Sequence, residues 1–315
     1  MSVYPDFRSV PETAKGASVA LGNFDGVHAG HRAVIDGAAR AATAHQLSLG
    51  VLIFEPPPRR YFQPDSPPFR IMRPERRREA LKSIGVDLIF ELPFNEEMSK
   101  MSPEGFVKNV LCDGLGIKHL SVGFDFRFGR GREGDVNTLA TLSEKYGFTL
   151  SVVSRVSEGA DKVSSTAIRN ALESGNPDTA ADLLGHYWTI DSTVEHGEKR
   201  GRTIGFPTAN MQLGNLIHPR HGIYAVWARV EGIEGWHAGV ANFGRTPTTG
   251  ERDPLLEVFI FDFDQDIYGR KIEVALVDFL RAEAKFDTID ALVVQMHRDT
   301  DAAKSILKYA ERPAG

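Results

Sequence analysis

The chain has 315 residues, 42% of them hydrophobic and 25% charged, with a formal net charge of -5. A single core becomes uncommon beyond roughly 250–300 residues, so two domains are expected, and the acidic balance offers no broad electrostatic footprint to a nucleic-acid backbone. The lone cysteine, Cys112, excludes an internal disulfide and a thiolate cluster. It falls in the amphipathic stretch Phe106–Cys112, which reads as a helix burying an inert thiol. Met1 to Arg8 hold no apolar run of the secretory kind. No apolar stretch approaches the roughly 20 residues that span a bilayer. The expectation is a cytoplasmic protein without nucleic-acid or membrane partners. Self-association is compatible with the sequence but is not legible in it.

The first half alternates apolar runs with helical stretches. Strands are predicted at 18–24, 49–54, 86–90, 118–123 and 148–153, and helices at 31–45, 74–84, 103–115 and 135–146. Continuous apolar strands separated by helices predict a doubly wound parallel sheet, an α/β domain whose ligand crevice lies beyond the carboxyl ends of its strands. Two short helices follow, at 165–174 and 177–184. Between Trp188 and Leu280 the rhythm changes to closely spaced short runs such as 223–230, 236–242, 256–263 and 271–280. These predict an antiparallel β-barrel or sandwich, with a closing helix over 287–309. The boundary is set near residue 184, giving domains 1–184 and 185–315.

The sharpest local string is Gly22-Asn23-Phe24-Asp25-Gly26-Val27-His28-Ala29-Gly30-His31, between a predicted strand and a predicted helix. Gly22, Gly26 and Gly30 let a ligand approach the backbone, and the helix start offers N–H groups and a positive dipole end to an anion. His28 and His31 share a face of the first turn and can donate to a phosphoryl oxygen. A glycine-rich turn with two exposed histidines is the plain alternative, and a metal pair is another. No cluster of cysteine, histidine or acidic residues supports zinc. Asn23 can touch phosphate or close an Asx-turn.

A second string runs Gly197-Glu198-Lys199-Arg200-Gly201-Arg202-Thr203-Ile204-Gly205-Phe206-Pro207-Thr208-Ala209-Asn210. Gly197, Gly201 and Gly205 permit a loop that closes on a ligand, and three basic residues supply charge. Thr208 and Asn210 are two apart, so on a strand they point the same way and can present oxygens to Mg²⁺. A basic hairpin with ordinary strand polars is the alternative. The string lacks the Gly-Lys-Ser/Thr ending of a Walker A loop.

Together these strings resemble the bacterial bifunctional riboflavin kinase/FAD synthetases. The first is similar to the nucleotidylyltransferase signature, and Gly-Phe-Pro-Thr-Ala-Asn at 205–210 to the riboflavin kinase motif. In order with them, Val122–Gly129 resembles the central loop of the first module and Val163–Arg169 its Ser-Ser-Thr-x-Ile-Arg motif. In the second module Leu256-Glu257-Val258, Asp266–Gly269 and Phe279-Leu280-Arg281 also match. The resemblance implies ATP-dependent phosphorylation of riboflavin to FMN, then adenylylation of FMN to FAD with release of pyrophosphate. It implies a nucleotidylyltransferase domain followed by a riboflavin kinase barrel. It assigns His28, His31, Gly22, Asn23 and Gly30 to ATP phosphates and Arg169 to the departing pyrophosphate. Ser164, Ser165 and Thr166 go to phosphate or to capping a helix, and Asp125 and Arg127 lie near flavin or nucleotide. In the kinase it makes Glu257 the general base, with Thr208 and Asn210 holding Mg²⁺ and Gly201 and Gly205 beside ATP.

Two departures from the family pattern stand out. The family's Phe-x-Pro-His-Pro reads Phe54-Glu55-Pro56-Pro57-Pro58, and its Gly-x-Arg-Pro-Thr reads Gly244-Arg245-Thr246-Pro247-Thr248. Alternatives are a kinase with an impaired adenylyltransferase half, a flavin-binding regulator without turnover, and a nucleotidylyltransferase with another acceptor. The regulator would be expected to have lost His28, His31, Thr208, Asn210 or Glu257, and none is lost.

Overall fold

A computed structural model describes residues 1–154, 157–158, 161–196, 205–244 and 254–313. By internal contacts the chain forms two compact units, one of Met1–Pro67 with Pro74–Ser164 and one of Pro68–Arg73 with Ser165–Gly315.

The first unit is built on six strands, β1 Ser2–Tyr4, β2 Ser18–Leu21, β3 Leu49–Phe54, β4 Leu88–Leu92, β5 His119–Gly123 and β6 Thr149–Val153. All pair in parallel, in the order β1-β4-β3-β2-β5-β6. The sequence predicts five of them. β1 is the addition, a three-residue edge strand whose side chains are largely exposed and so leave no apolar run. The helices are α1 Ala29–His45, α2 Pro58–Phe62, α3 Pro74–Ser83, α4 Glu96–Lys100, α5 Pro103–Gly105 and α6 Val136–Tyr146. The helix predicted over 103–115 starts as α5 and continues as π-helical turns over Phe106–Gly114. Cys112 there is half-buried, and burial pushes its thiol pKa up, which matches an inert thiol.

Both faces of the sheet are covered. Val19, Leu21, Leu52, Phe90, Leu120 and Val122 pack with Phe106, Val107 and Leu111 of the π-helical segment and with Leu139 of α6. On the alternate positions α1 sits close. Ser18 Oγ donates to the Ala38 carbonyl and Ser121 Oγ to the Val34 carbonyl, each at 2.7 Å. Gly37 permits this approach, since a Cβ there would stand 2.5 Å from Ser121 Oγ. The chain steps from β2 outward to β3 and β4, then returns to β5 on the other side of β2. The carboxyl ends of β2 and β5 therefore flank the switch point, where parallel sheets open their ligand crevice. A hairpin of β7 Ser157–Glu158 and β8 Asp161–Lys162 follows β6.

The second unit begins with α7 Ser165–Ser174 and α8 Pro177–Leu184. Six strands follow, β9 Thr189–Thr193, β10 Ala209–Gln212, β11 Gly222–Val230, β12 His237–Gly244, β13 Leu255–Ile260 and β14 Lys271–Arg281. They pair antiparallel in the order β10-β13-β12-β11-β14-β9. Just past β9, Glu195 N–H donates to the Asn210 carbonyl at 2.9 Å, and this bridge nearly closes the barrel. The closing helix, α9 Ile289–Leu307, packs Ala303 and Leu307 on Ala225 and Trp227 of β11 and Ala275 and Val277 of β14. Those strand residues are two apart, so one face of the sheet meets the helix. Arg281 grips buried Asp299 of α9 with both ends of its guanidinium fork, at 2.8 and 2.6 Å.

The division by contacts falls at Ser164/Ser165, earlier than the change of rhythm at 184. The reason is packing. α8 lies on β14, and Arg220 N–H donates to the Leu172 carbonyl of α7. Pro68–Arg73 joins this unit through hydrogen bonds. The Ile71 carbonyl accepts from Trp188 Nε1 at 2.7 Å, and Arg73 Nε donates to the Asp191 carbonyl at 2.9 Å.

Gly37→Ala should cost about 1–3 kcal/mol of first-unit stability by overpacking α1 against Ser121. Denaturant unfolding of the full chain, read on the transition of that unit, measures it.

Candidate active sites in the two units

The turn from β2 into α1 is backbone that side chains rarely adopt. Phe24 has φ 49°, Gly26 92° and Val27 44°. For a buried β-branched residue such as Val27 this is a strained conformation. The turn delivers His28 to the N-cap of α1, where its Nδ1 accepts the His31 N–H at 3.3 Å. A neutral ring bonded in this way carries its proton on Nε2, as a donor. The His31 ring stacks on it at 3.6 Å and meets Phe24 edge-on at 5.4 Å. Two imidazoles are thus fixed side by side at a helix start, at the switch point of the sheet. Gly30 keeps the space around them open, because a Cβ there would lie 3.2 Å from the His28 ring. The same position lies 3.6 Å from the Val163 carbonyl, so the chain entering Ser164 runs beside this first turn.

Gly22 leaves β2 with its N–H on the Leu52 carbonyl at 3.2 Å. The Asn23 side chain is exposed, while its carbonyl accepts from Arg77 Nη1 at 3.1 Å. Arg77 lies inside the charged run of α3, where its sequence neighbours give it the look of a surface charge. It is only 3% exposed. Its Nη2 also pairs with Glu55 and Glu91, both at 3.2 Å, and Glu91 in turn holds Arg78 at 2.7 Å. The signal was present in principle, since Leu81, four residues on, is fully buried on the same helix face. Glu55 belongs to the segment in which Pro57 replaces the family histidine. That segment is tied to the β2–α1 turn by Arg77, and Pro57 serves as the N-cap of α2.

After β5, Asp125 is buried at the other side of the switch point. Arg127 is exposed and reaches Asp135 at 3.5 Å. The Asp135 carboxyl pKa is held below its usual value, first by the Thr138 backbone N–H at the start of α6 and only weakly by Arg127. In the second unit Ser165 and Thr166 form the first turn of α7. Arg169, one turn on, donates from Nε to the Phe69 carbonyl at 2.7 Å and lies over the Phe69 ring.

The other constellation is set by strand register. Asn210 of β10 lies directly opposite Glu257 of β13, and Glu257 directly opposite Asn242 of β12. The three side chains share one face, in a row across three strands, at the roughly 4.5–5.5 Å Cβ spacing of cross-strand neighbours. The face is the one on which α9 packs, as Val240 and Phe259, two residues from Asn242 and Glu257, border the α9 cluster. Glu257 is half-buried within its strand, not an exposed strand-end residue. Thr208 stands just before β10, and Asn210 Nδ2 donates to its carbonyl at 3.4 Å. Phe206 anchors this approach, buried against Phe259 of β13 and His297 of α9 with ring centroids at 5.0 and 5.2 Å. Gly205 has φ 86°, a conformation suited to glycine. Gly201, Lys199, Arg200 and Arg202 lie outside the described residues, as do Arg245 and Thr246 of the second departure. Among the described residues no group of three or more histidine, cysteine or acidic side chains could hold a metal ion.

Arg77→Met would leave buried Glu91 and the Asn23 carbonyl without this donor. A loss of about 3–5 kcal/mol is expected for breaking a buried pair from one side. Chemical denaturation of the full chain, with Arg77→Lys as the partial rescue, measures it.

Residues 10–167 match the family model for FAD synthetase, and residues 184–307 that for riboflavin kinase. The bifunctional riboflavin kinase/FMN adenylyltransferase of Haemophilus influenzae is 39% identical over 291 residues, covering 92% of this chain and 94% of that protein. The Escherichia coli protein of the same name is 40% identical over 291 residues, 92% of each chain. That of Bacillus subtilis is 39% identical over 298 residues, 93% of this chain and 92% of its own. A crystal structure titled as a macrolide-efflux protein from Streptococcus pneumoniae shares the fold, with a TM-score of 0.85 and 30% identity over 96% of this chain and 98% of that one. No described helix of this chain is long and apolar enough to cross a membrane. With both modules matched in order along nearly its whole length, the chain belongs to the bifunctional riboflavin kinase/FMN adenylyltransferase family.

Proposed function

We propose that the chain phosphorylates riboflavin to FMN on the antiparallel barrel and adenylylates FMN to FAD on the parallel sheet, with ATP as co-substrate in both reactions. One observation carries this reading. A phosphate-type helix start at a sheet switch point and a carboxylate in register with Asn210 occur in one chain, and the product of the second suits the first. ATP use and flavin substrates also suit a cytoplasmic enzyme. We take the adenylyltransferase module as 1–184 and the kinase module as 185–315, assigning α7 and α8 to the first by sequence motif although they pack with the second.

In the kinase reaction the ribityl 5′-hydroxyl is a poor nucleophile while protonated. Glu257 takes that proton as the hydroxyl oxygen attacks the γ-phosphorus of ATP, and ADP leaves. Thr208 Oγ1 and Asn210 Oδ1 fit Mg²⁺, because this ion asks few oxygen ligands of a protein and takes the rest from phosphates and water. When bound it would neutralise phosphate charge. Gly201 and Gly205 frame the loop beside ATP.

The adenylyl transfer needs no base. The FMN phosphate is already anionic, and its oxygen attacks the α-phosphorus of ATP as pyrophosphate leaves. Catalysis is alignment plus charge stabilisation. His28 donates from Nε2, and His31 beside it, to phosphoryl oxygens. Gly22, Asn23 and Gly30 give the nucleotide its close approach. Ser164, Ser165 and Thr166 bind phosphate, and Arg169 carries the departing pyrophosphate on its planar fork. Asp125 and Arg127 are assigned to the flavin or nucleotide side.

Incubation with riboflavin, ATP and Mg²⁺, with the flavins separated over time, should give FMN and then FAD. Unchanged riboflavin, with supplied FMN also unconverted, would sink the reading. His31→Ala should slow FAD formation about 10²–10³-fold and leave FMN formation intact. Glu257→Gln should slow FMN formation about 10²–10⁴-fold while supplied FMN is still adenylylated. Equal loss of both activities in folded protein would count against separate sites.

A further inference from the structure

Asn242 of β12 is the cross-strand partner of Glu257 on one side and of Ile223 on the other. Its Oδ1 is buried and accepts no hydrogen bond. Leaving a buried acceptor unmet is costly, so such an atom calls for an explanation. Neither neighbour in the row can supply a donor, as Ile223 is apolar and an ionised Glu257 only accepts.

The order of the strands limits what can. β13, with Glu257, lies between β10 and β12. The phosphate and Mg²⁺ side of the site is on β10, at Thr208 and Asn210. Asn242 is on the opposite flank of the base. ATP phosphates bring acceptors, which an amide oxygen does not bind. The alcohol substrate brings donors, and it must enter from the flank facing away from ATP if attack on phosphorus is to be in line.

We infer that Asn242 is a substrate-binding residue of the kinase site, with Oδ1 accepting the ribityl 4′-hydroxyl while Glu257 takes the proton of the 5′-hydroxyl. Vicinal hydroxyls on a sugar alcohol stand about as far apart as two acceptors on neighbouring strands can span, given the roughly 4.5–5.5 Å between their Cβ atoms. Two adjacent hydroxyls gripped by two adjacent strands fix which oxygen faces phosphorus. The residue thereby selects a polyol terminus over a simple primary alcohol. The inference rests on the assignment of Glu257 as the base.

The test compares riboflavin with 4′-deoxyriboflavin as kinase substrates of the full chain. The native chain should favour riboflavin about tenfold in kcat/KM, the usual worth of one such hydrogen bond. Asn242→Ala should lose about tenfold on riboflavin and no longer distinguish the two. Asn242→Leu, which keeps the bulk, should behave alike. Adenylylation of supplied FMN should be unchanged in both variants, which reports that the chain is folded. Variants that keep the native preference for riboflavin would overturn the inference, as would a native chain indifferent to the 4′-hydroxyl. Glu257→Gln, run alongside, separates the two assignments. If it phosphorylates at the native rate the base assignment fails, while the substrate preference with Glu257 intact still decides Asn242.

Discussion

One buried guanidinium holds the end of the parallel sheet together. Arg77 reaches the Asn23 carbonyl, Glu55 after β3 and Glu91 within β4. It thereby links the carboxyl ends of three neighbouring strands. The turn it braces carries positive φ at Phe24, Gly26 and Val27. Strain of this kind persists only where the surroundings over-determine it. The brace on one side and the seating of α1 by Ser18, Ser121 and Gly37 on the other together fix where the helix begins. His28 and His31 inherit that position, so their geometry is set by contacts elsewhere in the sheet.

The barrel solves a different problem by different means. The register of β10, β13 and β12 sets Asn210, Glu257 and Asn242 in one row on one face. Because side chains alternate, a slip of one residue in β13 would send Glu257 to the opposite face and replace it with an apolar neighbour. Register is held by the buried set Leu256, Val258 and Ile260 on that opposite face, and by Phe206 against Phe259 and His297. The hydrophobic alternation that builds the barrel is thus also what aims Glu257.

In the proposed reading the two sites suit two different chemistries. Transfer to an alcohol requires removal of a proton, and the barrel provides a half-buried glutamate flanked by amides. Transfer to a phosphate requires no base, and the sheet provides a helix start, paired imidazoles and glycine. The departure at Pro57 falls in a segment whose place is secured through Glu55 and Arg77, not through the residue that changed.

Local order in the sequence determined much of this. Apolar runs alternating with helical periods gave a parallel sheet, and the change of rhythm gave a barrel. The strings around His28 and Asn210 pointed to candidate phosphate and metal ligands, because glycine, hydroxyl and imidazole stand there at close spacing. The tertiary structure alone decided the rest. β1 was hidden, as an exposed three-residue edge strand leaves no apolar signal. α7 and α8 pack with the barrel, since burial follows contacts and not rhythm. Arg77 looked like one more surface charge, and Asn242 like an ordinary strand polar. Both gain their roles from partners far away in sequence, through the closing of a sheet end in one case and the pairing of strands in the other. Neither event is written in the residues beside them.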